Sequence, residues 1–298
     1  MDILFLRIGS ESRKQRKRHI MNGGNDMTFT ISGFGREQTG KRESIPMNET
    51  NQRTVVPRKS VVQVSFPGRS GALAYYNDQF DLKVGDRVYV EGKLEGQLGC
   101  VVAVNYNFKI KLSEYKRVIA LVDTHVHGQL YIAGSHFLTF DPSVIPAAQL
   151  TTWFKAPAAD NEEYASGSDG TSFHLDSLQE MHVSNAIAER GHNYYMENRV
   201  RYLCLNGAKG YAIVEGTQPY TVEFEYENGE IRNLLCDCFC SYPCKHEVAA
   251  MLQLRESLAM IEERYSEAYA QSGYFAAISK GTLFSFAIDG NDGGSITL

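Results

Sequence analysis

Four of the chain's six cysteines and one histidine fall within eleven residues, in the run C-D-C-F-C-S-Y-P-C-K-H at 236–246. Three thiolates and an imidazole form the soft donor set that tetrahedral zinc takes. A chain that gathers such a set around one ion has few ways to fold locally. Cys236 and Cys238 stand two residues apart, so on an extended segment both sulfurs point to the same side. They are too close along such a segment to bond comfortably to each other. Cys244 and His246 flank Lys245, and Pro243 just before them marks a helix start, where its missing N–H is no loss. The positive end of a helix also favours the thiolate form of Cys244. The spacing predicts one structural zinc held by Cys236, Cys238, Cys244 and His246. A competing set replaces Cys236 with Cys240. The five-residue loop of the first set gives the chain more slack to turn round the ion, which leaves Cys240 exposed and oxidisable. Catalysis by a cysteine nucleophile needs one activated thiolate and a base, not a cluster of thiols.

The flanking sequence carries a resemblance. The run G-H-N-Y-Y-M-E-N-R-V at 191–200, the run A-I-V-E-G-T-Q-P-Y-T-V at 212–222 and the metal motif followed by E-V-A-A resemble the SWIM-type zinc finger. The resemblance spans about 176–265. It implies one zinc in a ββα module with a helix rich in alanine, as at Ala249 and Ala250. Such modules occur in DNA-associated ATPases, transposases and stand-alone bacterial proteins, where they bind nucleic acid or protein and carry no chemistry of their own. The additional Cys240 departs from the pattern.

At 298 residues the chain has room for two modest domains with real cores. No apolar run approaches the roughly 18–20 residues that span a bilayer, and grouped, metal-ready cysteines fit a reducing cytoplasm. Charge is unevenly placed. Residues 1–60 hold 12 Lys/Arg and 6 Asp/Glu, whereas the remainder holds 18 and 29. An acidic body argues against strong, non-specific duplex binding, which is mostly phosphate neutralisation.

The pattern along the chain predicts an α+β protein. Residues 1–58 are expected to be a disordered basic tail with a block at Arg13–Arg18, and the working protein is expected to start at Met47. Residues 59–150 read as a small, curled, barrel-like β domain, with strands at Val61–Phe66, Arg87–Val90 and Cys100–Val104. Lys109, Lys111, Lys116 and Arg117 interleave with Tyr106, Phe108 and Tyr115. Such a surface suits stacked bases, but a sheet that buries one aromatic face is the plainer expectation. Residues 151–175 read as a linker, 176–290 as the zinc-finger domain and 291–298 as a flexible tail. In the second domain, Ser177 and Glu180 have the spacing of a capping box, predicting a helix that ends at Gly191. Three strands follow, near 194–205, 210–215 and 220–226, and Asn228-Gly229 turns the last of them into Glu230–Leu235. A helix from Lys245 places Val248, Leu252, Leu258, Ile261 and Tyr265 on one face. A terminal hairpin is expected over 274–288, turning at Lys280-Gly281.

Asp123, His125 and His127 match D-x-H-x-H, which resembles the first metal-binding strand of amidohydrolases. A metal-dependent hydrolase built on them is the alternative function. That chemistry needs further ligands from later strands, and no βα repeat is present to supply them. No phosphate loop, Ser-His-Asp arrangement or paired carboxylate is visible either. The expected function is therefore non-enzymatic: a zinc-binding adaptor for nucleic acid or protein, a separate ATPase among the possible partners, with no membrane and no small-molecule substrate.

Overall fold

The computed structural model describes residues 29–30, 57–155, 165–168, 170–240 and 243–288. Most of the expected tail, the Met47 start, residues 156–164 and 169 of the linker and the end of the chain lie outside them. The described strands are β1 (Phe29–Thr30), β2 (Ser60–Ser65), β3 (Leu73–Asn77), β4 (Arg87–Val90), β5 (Gly99–Asn105), β6 (Val118–Val122), β7 (Gln129–Ala133), β8 (His136–Thr139) and β9 (Ser172–His174). They continue with β10 (Val200–Asn206), β11 (Lys209–Glu215), β12 (Pro219–Glu227), β13 (Glu230–Cys236) and β14 (Tyr274–Ser279). The helices are α1 (Ala147–Phe154), α2 (Asn185–Met196), α3 (Lys245–Arg264), α4 (Ser266–Ser272) and α5 (Lys280–Leu283). The fold is mixed α+β, built on two antiparallel sheets.

The smaller sheet has the order β3-β2-β5-β4-β6. Alternating valines in β2 and β5 fill its core with Val62, Val64, Val101 and Phe66, as a half-buried strand pattern requires. It is open, not the expected barrel. Its edge strands meet only at an isolated parallel bridge between Tyr76 and Arg117, with the Tyr76 N–H donating to the Lys116 carbonyl at 2.9 Å. The next residue turns the chain aside before a ladder can form. Asn77 is buried, and its side chain donates to the Phe80 carbonyl at 2.7 Å and accepts the Phe80 N–H at 3.1 Å.

The larger sheet has the order β1-β7-β8-β14-β10-β11-β12-β13-β9. β7 and β8 thus join the second half of the chain, and the break between sheets falls between β6 and β7 rather than across 151–175. β8 is buried along its whole length, so it needs ladder partners on both sides. β14 supplies one, in register from Ala276↔Thr139 to Ser279↔His136. The central strands are covered on both faces. Leu203, Leu205, Ala212, Val214, Phe275 and Ala277 face one core with α3. The alternate residues Tyr202, Ile213, Tyr274, Ala276 and Ile278 face a second core with Trp153, Tyr89 and Val122. Period-two alternation assigns each residue to its side.

Two local expectations are corrected. Leu178–Met181 is only a 3₁₀ turn, ended by His182 in the left-handed region at φ 51°. The helix begins later, at Ser184, whose side chain accepts the Ile187 N–H, and it runs through Gly191 without stopping. Gly191 is buried in mid-helix because α3 crosses there: a Cβ would come 2.5 Å from Val248 and 3.0 Å from the Lys245 carbonyl. The next strand consequently starts at Val200 instead of near 194. Among the described residues no strand follows β14 to pair with it as a hairpin. Ser279 caps a helical turn at Lys280–Leu283, its hydroxyl accepting the Thr282 N–H at 3.2 Å. Of the interleaved rings Tyr106 is exposed, whereas Phe108 and Tyr115 are half-buried and Phe108 packs edge-on against the buried Tyr76.

Candidate metal centre

The site forms where the end of β13 meets the start of α3. Cys236 is the last residue of β13 and pairs with Val222 of β12. Asp237 then pins the turn: its carboxylate accepts the Thr221 N–H at 2.8 Å and the Thr221 hydroxyl at 2.6 Å. This holds Cys236 and Cys238 as a knuckle at the sheet end. Cys244 is the N-cap of α3, and Pro243 lies one residue outside the cap. A capping box closes the helix start, in which the Cys244 sulfur receives the Glu247 N–H and the Glu247 carboxylate accepts the Cys244 N–H at 2.5 Å. The two elements bring the donor atoms of Cys236, Cys238, Cys244 and His246 within 4.8 Å of one another. Cys240 stays outside this group, exposed.

The donor geometry fits a tetrahedral ion. His246 Nδ1 lies 3.7 Å from both Cys236 Sγ and Cys244 Sγ. Zinc–sulfur bonds of about 2.3 Å and a zinc–nitrogen bond of about 2.0 Å at tetrahedral angles separate the donors by roughly 3.5 Å. Cys244 and His246 are buried, and Cys236 and Cys238 are partly so. The Cys236 thiol is pushed up because it donates to Cys244 and is buried, and burial pushes Cys238 up to about 12. Cys244 is held down, to about 4, by the hydrogen bond from Cys236 and then by His246 and the Glu247 N–H. A bound dication would favour thiolate at all three positions.

The imidazole is held by rings. Tyr220 stacks on His246 with centroids 4.3 Å apart and planes 21° apart, and Tyr194 lies at 5.6 Å on a tilted plane. His246 Nε2 is buried without a hydrogen-bond partner. Gly216 makes room for this packing, since a Cβ there would stand 2.7 Å from Tyr220. Tyr194 in turn lies under two cations, Lys245 at 4.6 Å and Arg199 at 4.7 Å. The spacing of the metal motif did not point to Asp237. Glu247 was legible as the fourth residue of C-x-x-E, the capping-box interval.

The D-x-H-x-H motif is placed differently. Residues 123–127 lie outside the strands, and α1 holds them: the Gln149 side chain donates to the His125 carbonyl at 2.8 Å and the Trp153 indole to the Asp123 carbonyl at 2.6 Å. Thr124 and Val126 are buried, whereas Asp123, His125 and His127 are exposed. The two imidazoles stack at 6.2 Å, and Asp123 accepts the His125 N–H at 2.8 Å. Among the described residues they do not form a metal-holding group, and no later residue joins them. A cleft of about 540 Å³ borders the turn at 215–219. Its charged lining residues, Arg201 and Glu215, pair with each other. Among the described residues no helix is long and apolar enough to cross a membrane.

Comparison with models of protein families, with curated proteins and with solved structures returned no match. The functional reading therefore rests on the geometry of the site.

Proposed function

We propose that this chain is a zinc-stabilised binding module of SWIM type, with one structural zinc on Cys236, Cys238, Cys244 and His246. The observation that carries the reading is the convergence of two sulfurs from a strand end with a sulfur and an imidazole from a helix start. Residues of the resembling motif have packing roles that serve this site. Ala212, Val214 and Val222 are buried in the core shared with α3, Gly216 clears space, and Tyr220 backs the histidine. Four protein donors complete a tetrahedron and leave no open position for water or substrate, which makes the metal structural instead of catalytic. The bound ion supplies a clamp between the β12–β13 hairpin and α3. The module acts as a cytoplasmic adaptor that grips nucleic acid or a protein partner, such as a separate ATPase subunit.

Metal analysis of the purified chain tests the reading, with one zinc per chain expected. Cys244→Ser should lose that zinc, and a strong chelator should lower the melting temperature. Metal-free protein that melts unchanged after chelation overturns the proposal.

A further inference from the structure

The charge division follows the sheets. Residues 57–122, which contain the five-stranded sheet, carry ten Lys/Arg against six Asp/Glu, a net of +4. Residues 123–298 carry ten against 23, a net of −13. One end of the small sheet concentrates the positive charge. β2 begins there at Ser60, β3 ends there at Asn77 and β5 ends there at Asn105, as the pairs Ser60↔Asn77 and Val61↔Asn105 require. The segment 105–117 leaves β5 at this end and returns beside β3 through the Tyr76–Arg117 bridge.

Aromatic rings lie among these cations. Arg58 sits over the ring of Tyr106, 4.2 Å from its centroid. Phe108 meets Tyr76 edge-on at 6.0 Å, and Arg117 lies over the other ring of that pair at 5.3 Å. Tyr106 is 36% exposed, and Tyr106, Phe108 and Tyr115 belong to no core. Two acids at this end pair with local cations, Asp78 with Arg117 and Glu114 with Lys111, while Asp81 is exposed. Arg58, Lys59, Lys109 and Lys116 are exposed, and no described ion pair includes them.

We infer that this end of the five-stranded sheet binds single-stranded nucleic acid, with bases stacking on Tyr106 and its neighbouring rings and phosphates on Arg58, Lys109 and Lys116. Charge complementarity selects a polyanion, and the exposed ring of Tyr106 selects its unpaired form. Bases in a duplex are already stacked on one another, while a single strand offers a π-face to each exposed ring. A duplex also depends more on phosphate neutralisation, which the acidic remainder of the chain opposes. This names the partner class that the adaptor reading leaves open, on a surface that shares no residue with the metal centre.

Fluorescence anisotropy of the full chain with labelled oligo-dT, oligo-U and a duplex of equal length tests the inference. Binding to one or both single strands, weaker binding to duplex, and affinity that falls with salt are expected. Tyr106→Ala should weaken single-strand binding about tenfold, the equivalent of roughly 1.4 kcal/mol for one lost stack. The Lys109→Glu and Lys116→Glu pair should flatten the salt slope by about 0.7 per lost phosphate contact. Lys209→Glu, on the large sheet, should change neither. The basic block at 13–18 contributes equally to every variant. Zinc content measured on the same samples keeps failure of the metal centre apart from failure of this surface. Absence of single-strand binding, preference for duplex, or wild-type affinity in both the Tyr106 and lysine variants would each overturn the inference.

Discussion

The phenol ring of Tyr220 lies against the imidazole of His246, with centroids 4.3 Å apart. Residue 216 permits that contact by having no side chain, since a Cβ would stand 2.7 Å from Tyr220 and 3.1 Å from His246 Nε2. Gly216 is not among the residues with positive φ, so crowding alone decides the effect of a substitution. A ligating histidine normally fixes its angle through a hydrogen bond from its second nitrogen. In the proposed site that nitrogen is buried and unpartnered, which leaves the Tyr220 stack to orient the ring. Gly216→Ala is expected to lower zinc affinity 10–100-fold, the usual effect of losing outer support at a metal ligand. Competition against a chromophoric chelator measures it; an unchanged constant would mean that the metal alone orients the ring.

Gly191→Ala pits two effects against each other. Alanine favours a helix interior by about 1 kcal/mol over glycine. Its methyl group would meet Val248 at 2.5 Å and the backbone oxygen of Lys245 at 3.0 Å. Overpacking of this kind destabilises by about 1–3 kcal/mol, and a backbone atom cannot swing aside as a flexible side chain can. Crowding wins, and a lower denaturation midpoint is expected. A stabilised variant would show that α2 and α3 separate easily.

What the sequence revealed was local. The Cys/His cluster, the Asn228-Gly229 turn and the valine alternation of β2 and β5 each depend on residues a few positions apart. The same chemistry at Gly191 was misleading, because a helix-stopping glycine and a helix-crossing glycine look alike until the second helix is in place. The two-sided burial of β10, β11 and β14 blurred the alternation that identifies half-buried strands. Nothing near β8 announces that its partner is β14, since that pairing follows from burial of both faces and not from any turn. The Cys/His cluster was legible because its spacing is short; the part Asp237 plays beside it was not, because Asp237 acts through Thr221, sixteen residues earlier.

Glu247 supports the helix start that carries Cys244 and His246. Its carboxylate accepts the Cys244 N–H, one of the donors a helix leaves unpaired at its first turn. Glu247→Ala is expected to reduce stability by about 1 kcal/mol, whereas Glu247→Gln, which keeps an acceptor at the same reach, should lose much less. Melting temperatures of the two variants with zinc bound separate them. Equal loss in both would assign the effect to charge instead of to the cap.

His136 gives the fold a dependence on acid away from the metal centre. Its ring is buried between β8 and β10, with Nε2–H donating to the Val200 carbonyl at 2.8 Å and Nδ1 accepting from the Ser135 hydroxyl at 2.9 Å. Both nitrogens are satisfied in the neutral form. Burial lowers its pKa from 6.5 to about 4, with Arg201 and Lys280 adding to the effect and the Val200 bond opposing it. Between those values the unfolded chain holds a proton that the folded chain refuses. The contribution to stability is therefore complete above about pH 6.5 and is lost as pH falls towards 4. The slope is at most about 1.4 kcal/mol per pH unit, and the total is on the order of 3 kcal/mol. The His136 ring resonances should remain those of a neutral imidazole at pH 5, and the difference in stability between wild type and His136→Gln should shrink as pH falls from 6.5 to 4. A ring that protonates near 6.5 would mean that β8 opens to water and that its burial beside β14 is not maintained in solution.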